Sequence, residues 1–209
     1  MSKYFNFFPK TLYTVDTITG DVVKNLTTRF SFEESFKNNT AVCYEYDVQD
    51  SDTPEIIASK FYDDPERHWI VLMFNDITDP QFDWPMDYRT LISFIDEKYK
   101  SEANVGQSGS SWAQSHVHAY YKVETRTTIS TNTITVNKME VDANTYANVA
   151  ISSSNVTLTG GYVITIATSK QTQSHYDYEM ELNESKRKIK LLKPEFVSSI
   201  EEEFRRVIA

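Results

Sequence analysis

The four histidines and the single cysteine are the residues best suited to chemistry in this 209-residue chain. His116 and His118 stand two apart, which on a strand puts both rings on one face, where His175 or a carboxylate would complete a metal site. That spacing is common, and an exposed or partly buried polar pair is the simpler account. His68 precedes Trp69 in a helical pattern and reads as a helix-surface residue. Cys43 has no basic or histidine neighbour in sequence to lower its thiol pKa, so it reads as a core thiol rather than a nucleophile. Carboxylates occur in pairs at Asp63-Asp64, Asp76 with Asp79, Glu33-Glu34 and the Glu201 run. Glycoside cleavage needs two carboxyls held apart across a cleft, and nothing selects such a pair. Asp76 and Asp79 flank a turn ending at Pro80, where Asp commonly caps backbone amides. The dinucleotide, phosphate-loop, GxSxG and HExxH signatures are all missing. No catalytic residue, metal ligand or cofactor is therefore assigned, and an enzyme is not expected.

Composition narrows the classes further. With 40% hydrophobic and 24% charged residues the chain has ordinary globular make-up. A net charge of −9 disfavours a nucleic-acid partner, since that affinity rests on clustered Lys and Arg. The longest apolar run, Trp69 to Phe74, is far short of a membrane span, and the broken N-terminal stretch through Asn6 does not read as a secretion signal. One cysteine permits no internal disulfide, which points to packing alone and to synthesis in a reducing cytoplasm. The unusual count is aromatic: 13 Tyr, 12 Phe and 3 Trp against 5 Gly supply contact surface in excess of turn chemistry.

The elements that must carry these rings follow from periodicity. Val42–Val48 alternates and reads as a strand. Thr53-Pro54 opens a helix with Ile56, Ile57, Ala58 and Phe61, and Asp64-Pro65 opens a second whose apolar residues, Trp69 to Phe74, wrap most of the circumference. A third helix runs from about Asp87 to Tyr99. Only nine charges lie between Ala103 and Glu179, and Ser and Thr alternate there with β-branched aliphatics, which reads as an antiparallel β unit with a Gly160-Gly161 hairpin turn. Asn104 to Ser111 has linker composition. Tyr178 to Arg187 reads as helix, Ile189 to Leu192 as a short strand, and Pro194 opens a terminal helix with Phe196, Ile200, Phe204 and Val207 on one stripe; Glu201 to Glu203 read as a solvated face. The expected organisation is α+β: an aromatic arm over 1–41, a strand–helix–helix module with its following helix over 42–100, a linker over 101–117, a Ser/Thr-rich β unit over 118–177 and a helix–strand–helix segment over 178–209.

Residues Tyr46 to Pro80, with Asp52-Thr53, Ile57-Ala58, Phe61-Tyr62, Leu72, Asn75-Asp76-Ile77 and Asp79-Pro80, resemble a LysM module. The resemblance implies a small βααβ fold in which the Asn75 to Pro80 segment leads to the return strand, but Phe82, Trp84 and Pro85 follow here in place of that family's usual return segment. In sugar-binding members the groove would correspond here to Asp52, Thr53, Asn75, Asp76 and Ile77. Ser51 stands where that family usually has Gly.

A wider resemblance takes in Phe8-Pro9, Asn38-Asn39-Thr40, Asp52 to Trp69, Asn75 to Pro80 with Asp83-Trp84-Pro85, and Asn183 to Leu192. These blocks are similar to the LysM-containing baseplate wedge subunit of T4-type contractile-tailed bacteriophages. That resemblance implies a structural virion protein of the tail baseplate, clamping adjacent wedges in the inner ring. Its partners would be other wedge proteins and hub or sheath-initiator proteins, in multiple copies of a six-fold assembly, with no nucleic acid or membrane partner. The alternative it leaves open is a LysM-type peptidoglycan-binding module. Rings beyond the needs of a LysM-like core are assigned to neighbours, with Tyr4, Phe5, Phe7, Phe8, Trp84, Tyr88, Phe196 and Phe204 as the expected partner interface.

Overall fold

The computed structural model describes residues 3–14, 20–27, 30–159, 161 and 163–208. Along the chain run α1 (Lys3–Asn6), β1 (Lys10–Thr14), β2 (Gly20–Lys24), α2 (Glu34–Lys37), β3 (Cys43–Asp47), α3 (Pro54–Tyr62), α4 (His68–Phe74) and α5 (Pro80–Asp83). Then follow α6 (Tyr88–Lys98), α7 (Gly109–Ser115), β4 (Val117–Thr128), β5 (Thr133–Val141), α8 (Ala143–Asn148), β6 (Ser152–Thr157), β7 (Val163–Ser174), α9 (His175–Ser185), β8 (Lys188–Leu192) and α10 (Pro194–Ile208). The α+β class expected from periodicity is the class observed. The chain divides into one unit of residues 1–88 with 183–209, and a second of residues 89–182.

In the first unit, local chemistry starts and stops the helices as their sequences imply. Thr53 caps α3 by accepting the Ile56 N–H, Pro54 occupies the first turn, and Asp63 closes it in a left-handed conformation at φ 54°. Asp64 caps a 3-10 turn that leads into α4. Ile70 and Val71 in α4 are fully buried and Trp69 and Phe74 nearly so, so this helix is covered on several sides.

The return strand differs from expectation. After α4 the chain makes the short helix α5, not a strand, with the Asp79 side chain capping the Gln81 N–H. The antiparallel partner of β3 is β8, more than a hundred residues further on, in the register Cys43↔Leu192 to Asp47↔Lys188. The whole second unit is therefore inserted between α5 and the strand that completes the sheet. Two asparagines, Asn183 buried and Asn75 partly buried, bridge backbone groups in the first unit. Asn75 donates to the Val71 and Lys190 carbonyls, both at 2.8 Å, and accepts the Lys190 N–H at 2.7 Å. Asn183 makes the same reciprocal pair with Met86, accepting its N–H at 2.8 Å and donating to its carbonyl at 3.0 Å. An amide side chain that mimics a strand neighbour satisfies a donor and an acceptor at once.

Described residues of the 1–41 segment pack on the first unit's own core. Phe8 and Phe32 are buried, and Tyr4, Phe7, Phe30 and Phe36 pack on the same core as α10. The described strands of the β1–β2 ribbon are mostly exposed. Leu12 and Val22, paired across it, are each 67% exposed.

In the second unit, β4 to β7 form one antiparallel sheet in the order β5-β4-β7-β6. The turn before β7 places Gly161 at φ 82°, while Gly160, the other half of the expected hairpin signal, lies outside the described residues. Within the stretch with linker composition, Gly109–Ser115 is the helix α7, capped by the Ser108 hydroxyl on the Ser111 N–H. The Asp96 carboxylate accepts the Ser110 N–H and hydroxyl at 3.0 and 2.9 Å, which ties α7 to α6 and holds that carboxyl below its ordinary range.

Candidate functional site

Asp52 is the most constrained of the residues grouped by the LysM resemblance. Its side chain is 1% exposed. It accepts the Tyr46 hydroxyl at 2.6 Å, the Gln49 N–H at 3.2 Å and the Lys60 ammonium at 2.6 Å. Burial pushes this carboxyl up, but the bonds from Lys60, Tyr46 and Gln49 outweigh it and hold the group below its ordinary value. The same bond pushes the Tyr46 phenol up to about 12. Above the turn lies Trp84, whose indole N–H donates to the Asp52 carbonyl at 3.0 Å and which is only 8% exposed.

The other four positions are likewise committed to the fold. Thr53 caps α3, Asn75 clips α4 to β8, and Ile77 packs against the core. Asp76, at φ 55°, pairs with Lys37, a lysine whose side chain is 6% exposed and which also meets Glu34 at 2.5 Å. The hydrogen bonds to Asp76 and then Glu34 raise the Lys37 pKa. Their polar side-chain atoms bond to backbone groups or to the side chains of Tyr46, Lys60 and Lys37, and Trp84 lies against the Asp52 backbone.

The Asp52 cluster carries a pH prediction. A carboxyl lowered in the folded state stabilises above its ordinary pKa near 3.8 and loses that contribution as pH falls through the folded value. Asp52→Asn is expected to cost about 1–2 kcal/mol at pH 7, since Lys60 is half exposed and its attraction is screened. Urea unfolding at pH 7 and pH 3 checks this, and the gap between variant and wild type should narrow at the lower pH.

Open surface lies elsewhere. An apolar groove of about 380 Å³ is lined by Tyr4, Phe5, Phe30, Trp69, Leu72, Met73 and Ile77. A smaller one of about 310 Å³ lies among Asn75, Asp83, Lys186 and Lys188. Of the rings expected at a partner interface, Phe8, Trp84 and Phe204 are instead inside the unit's own core, at 7, 8 and 0% exposed. Phe204 is enclosed by Tyr4, Phe7, Phe8, Phe30 and Trp69 with ring centres 4.8 to 6.1 Å away. A ring already covered on its faces has none left to give a partner. Tyr4, Phe7 and Phe196 are partly covered, and Phe5 and Tyr88 stay exposed at 47 and 58%. Glu201, read as part of a solvated face, is mostly buried and bonds Arg67 at 2.8 Å. Cys43 is a buried free thiol, as expected. Among the described residues no helix is long and apolar enough to cross a membrane.

Over residues 3–207 the chain matches a family model described as base plate wedge protein 53. The chain belongs to the baseplate wedge protein 53 family. No curated protein gives a significant match. Membership makes it a structural protein of the phage tail baseplate that interacts with other baseplate proteins. For a wedge protein, exposed apolar elements are expected. The β1–β2 hairpin is a two-stranded ribbon that water alone stabilises poorly, and it presents Leu12, Tyr13, Val22 and Val23. Sequence reasoning missed it because its alternation is short and lies among aromatic residues that drew attention to the arm as a whole.

Proposed function

We propose that this wedge protein acts by clamping adjacent wedges in the inner baseplate ring of a contractile tail, in a six-fold assembly whose other members include wedge and hub or sheath-initiator proteins. The family match over nearly the whole chain carries this reading. In support, the exposed hairpin, Phe5, Tyr88 and the apolar groove beside Trp69 offer rings and aliphatics at the surface of the unit. Synthesis is in the host cytoplasm and the destination is the virion; no catalytic step is assigned.

Within this reading β3, α3, α4 and β8 make a LysM-like core retained as scaffold. The buried Asp52 cluster and the Trp84 indole bonded to its backbone speak against peptidoglycan as its ligand. Incubating the full chain with insoluble peptidoglycan at tens of micromolar is expected to leave it in the supernatant.

Co-purification with the wedge proteins of the same phage tests the clamp. The full chain is expected to enter a wedge complex, and the double variant Leu12→Asp, Val22→Asp to lose entry at least about tenfold while melting at the same temperature, because both side chains are mostly exposed. A wild-type chain that stays monomeric among all wedge proteins sinks the proposal.

A further inference from the structure

Three of the four histidines gather in the second unit around Trp112. β4 pairs Val117 with Ser174 and then Ala119 with Gln173, so His118 is an extra residue in a bulge. A bulge re-aims the side chain it carries. Here His118 Nδ1 lies 3.3 Å from Nδ1 of His175, the first residue of α9, and without an ion the two rings share a hydrogen bond there, one donating and the other accepting. Both rings are held by packing. His118 stacks on Tyr178 with centres 4.0 Å apart, and His175 lies against Tyr99 and Trp112 at 5.2 and 5.3 Å.

A nitrogen pair at this spacing suits one small cation. Two imidazoles on a tetrahedral ion with metal–nitrogen bonds of about 2.0–2.1 Å have their ligand atoms roughly 3.3–3.4 Å apart. Coordination needs both imidazoles neutral. The other groups nearby are already engaged. Glu179, 3% exposed, accepts Lys98 at 2.5 Å and the Tyr99 hydroxyl at 2.9 Å. His116 stacks on Trp112 and directs Nδ1 to the Trp112 carbonyl at 2.9 Å. Asp177 bonds the Ser174 hydroxyl. Among the described residues no group of three or more His, Cys, Asp or Glu is placed to hold a metal, so a bound ion would take its other ligands from water, which reaches the exposed His118.

We propose that His118 and His175 form a two-histidine site for a borderline divalent transition-metal ion, completed by water, that fastens the bulge of β4 to the start of α9. Titrating the full chain with Cu²⁺, Ni²⁺ and Zn²⁺ at pH 7.5 tests it, followed by calorimetry and, for Cu²⁺, by electron paramagnetic resonance. Saturable binding of one ion per chain is expected, tightest for Cu²⁺. The copper spectrum should show coupling to two imidazole nitrogens. His118→Ala and His175→Ala should each weaken binding by at least about tenfold, the least that even an outer-shell partner ordinarily costs, while His116→Ala leaves it unchanged. Lowering the pH to 5.5 should release the ion. No saturable binding, a spectrum with one nitrogen or none, or undiminished binding by the double variant His118→Ala, His175→Ala overturns the proposal. The wild-type spectrum decides the matter even where a variant folds poorly.

Discussion

Phe204→Ala is expected to destabilise the first unit by about 3–5 kcal/mol, the usual cost of emptying a fully buried phenylalanine site. Phe204 has no exposed surface, and the rings of Tyr4, Phe7, Phe8, Phe30 and Trp69 surround it. Four of those rings come from the first thirty residues, so their docking depends on a side chain near the other end of the chain. Rigid rings cannot collapse into the space left behind, which places the cost high in the range. Losses comparable to a small domain's whole stability follow from one substitution. Urea unfolding followed by near-ultraviolet circular dichroism checks the magnitude. Hydrogen exchange should show Tyr4 to Phe8 opening first, with the sheet of β4 to β7 unaffected. Val207→Ala on the same helix, at a position 54% exposed, should change stability by under about 0.5 kcal/mol.

What the sequence made legible was local. Thr53-Pro54 and Asp64-Pro65 announce their helices because a cap and a proline act within one turn. The helix α10 is legible because one period repeats over fifteen residues, but its buried face is Val197, Phe204 and Ile208, and Val207 of the expected stripe is 54% exposed. Pairing was not legible. The strand Ile189 to Leu192 could be read from its residues, but its partner β3 lies across the inserted unit, and no residue spacing encodes that distance. Asn75 and Asn183 look like ordinary turn and helix residues, since only the fold reveals the backbone groups they satisfy. Aromatic count misled for a related reason. A ring is equally suited to a core and to an interface, so composition did not separate Phe204, which is enclosed, from Tyr88, which is open. His118 and His175 were noticed by residue type, but the bulge that brings them together is a property of register.

Gly109→Ala is the second large effect, and it concerns a residue whose neighbours read as linker. Its conformation is one that any residue adopts, so backbone freedom is not the reason for glycine there. Space is: an added Cβ would sit 2.2 Å from the Asp96 carbonyl oxygen and 3.0 Å from both the Asp96 carbonyl carbon and the Lys100 nitrogen. These are backbone atoms at the end of α6 and cannot rotate away. Relief requires moving α7, and with it the Ser110 bonds to Asp96 and the stacking of Trp112 on Tyr99. A cost of about 3 kcal/mol, at the upper end for overpacking, is expected in the second unit. Gly106 supplies the contrast, because its φ of 84° strains a side chain while nothing lies within 4 Å of an added Cβ. Gly106→Ala should therefore cost only about 1 kcal/mol, as a left-handed residue does, and leave α7 in place. Thermal melting separates the two magnitudes, and hydrogen exchange separates the mechanisms: only Gly109→Ala should expose the amides of α7 and the last turn of α6. Equal effects from the two substitutions would mean that this stretch behaves as the flexible linker its composition suggests, and that the close approach of α7 to α6 contributes nothing to the stability of the unit.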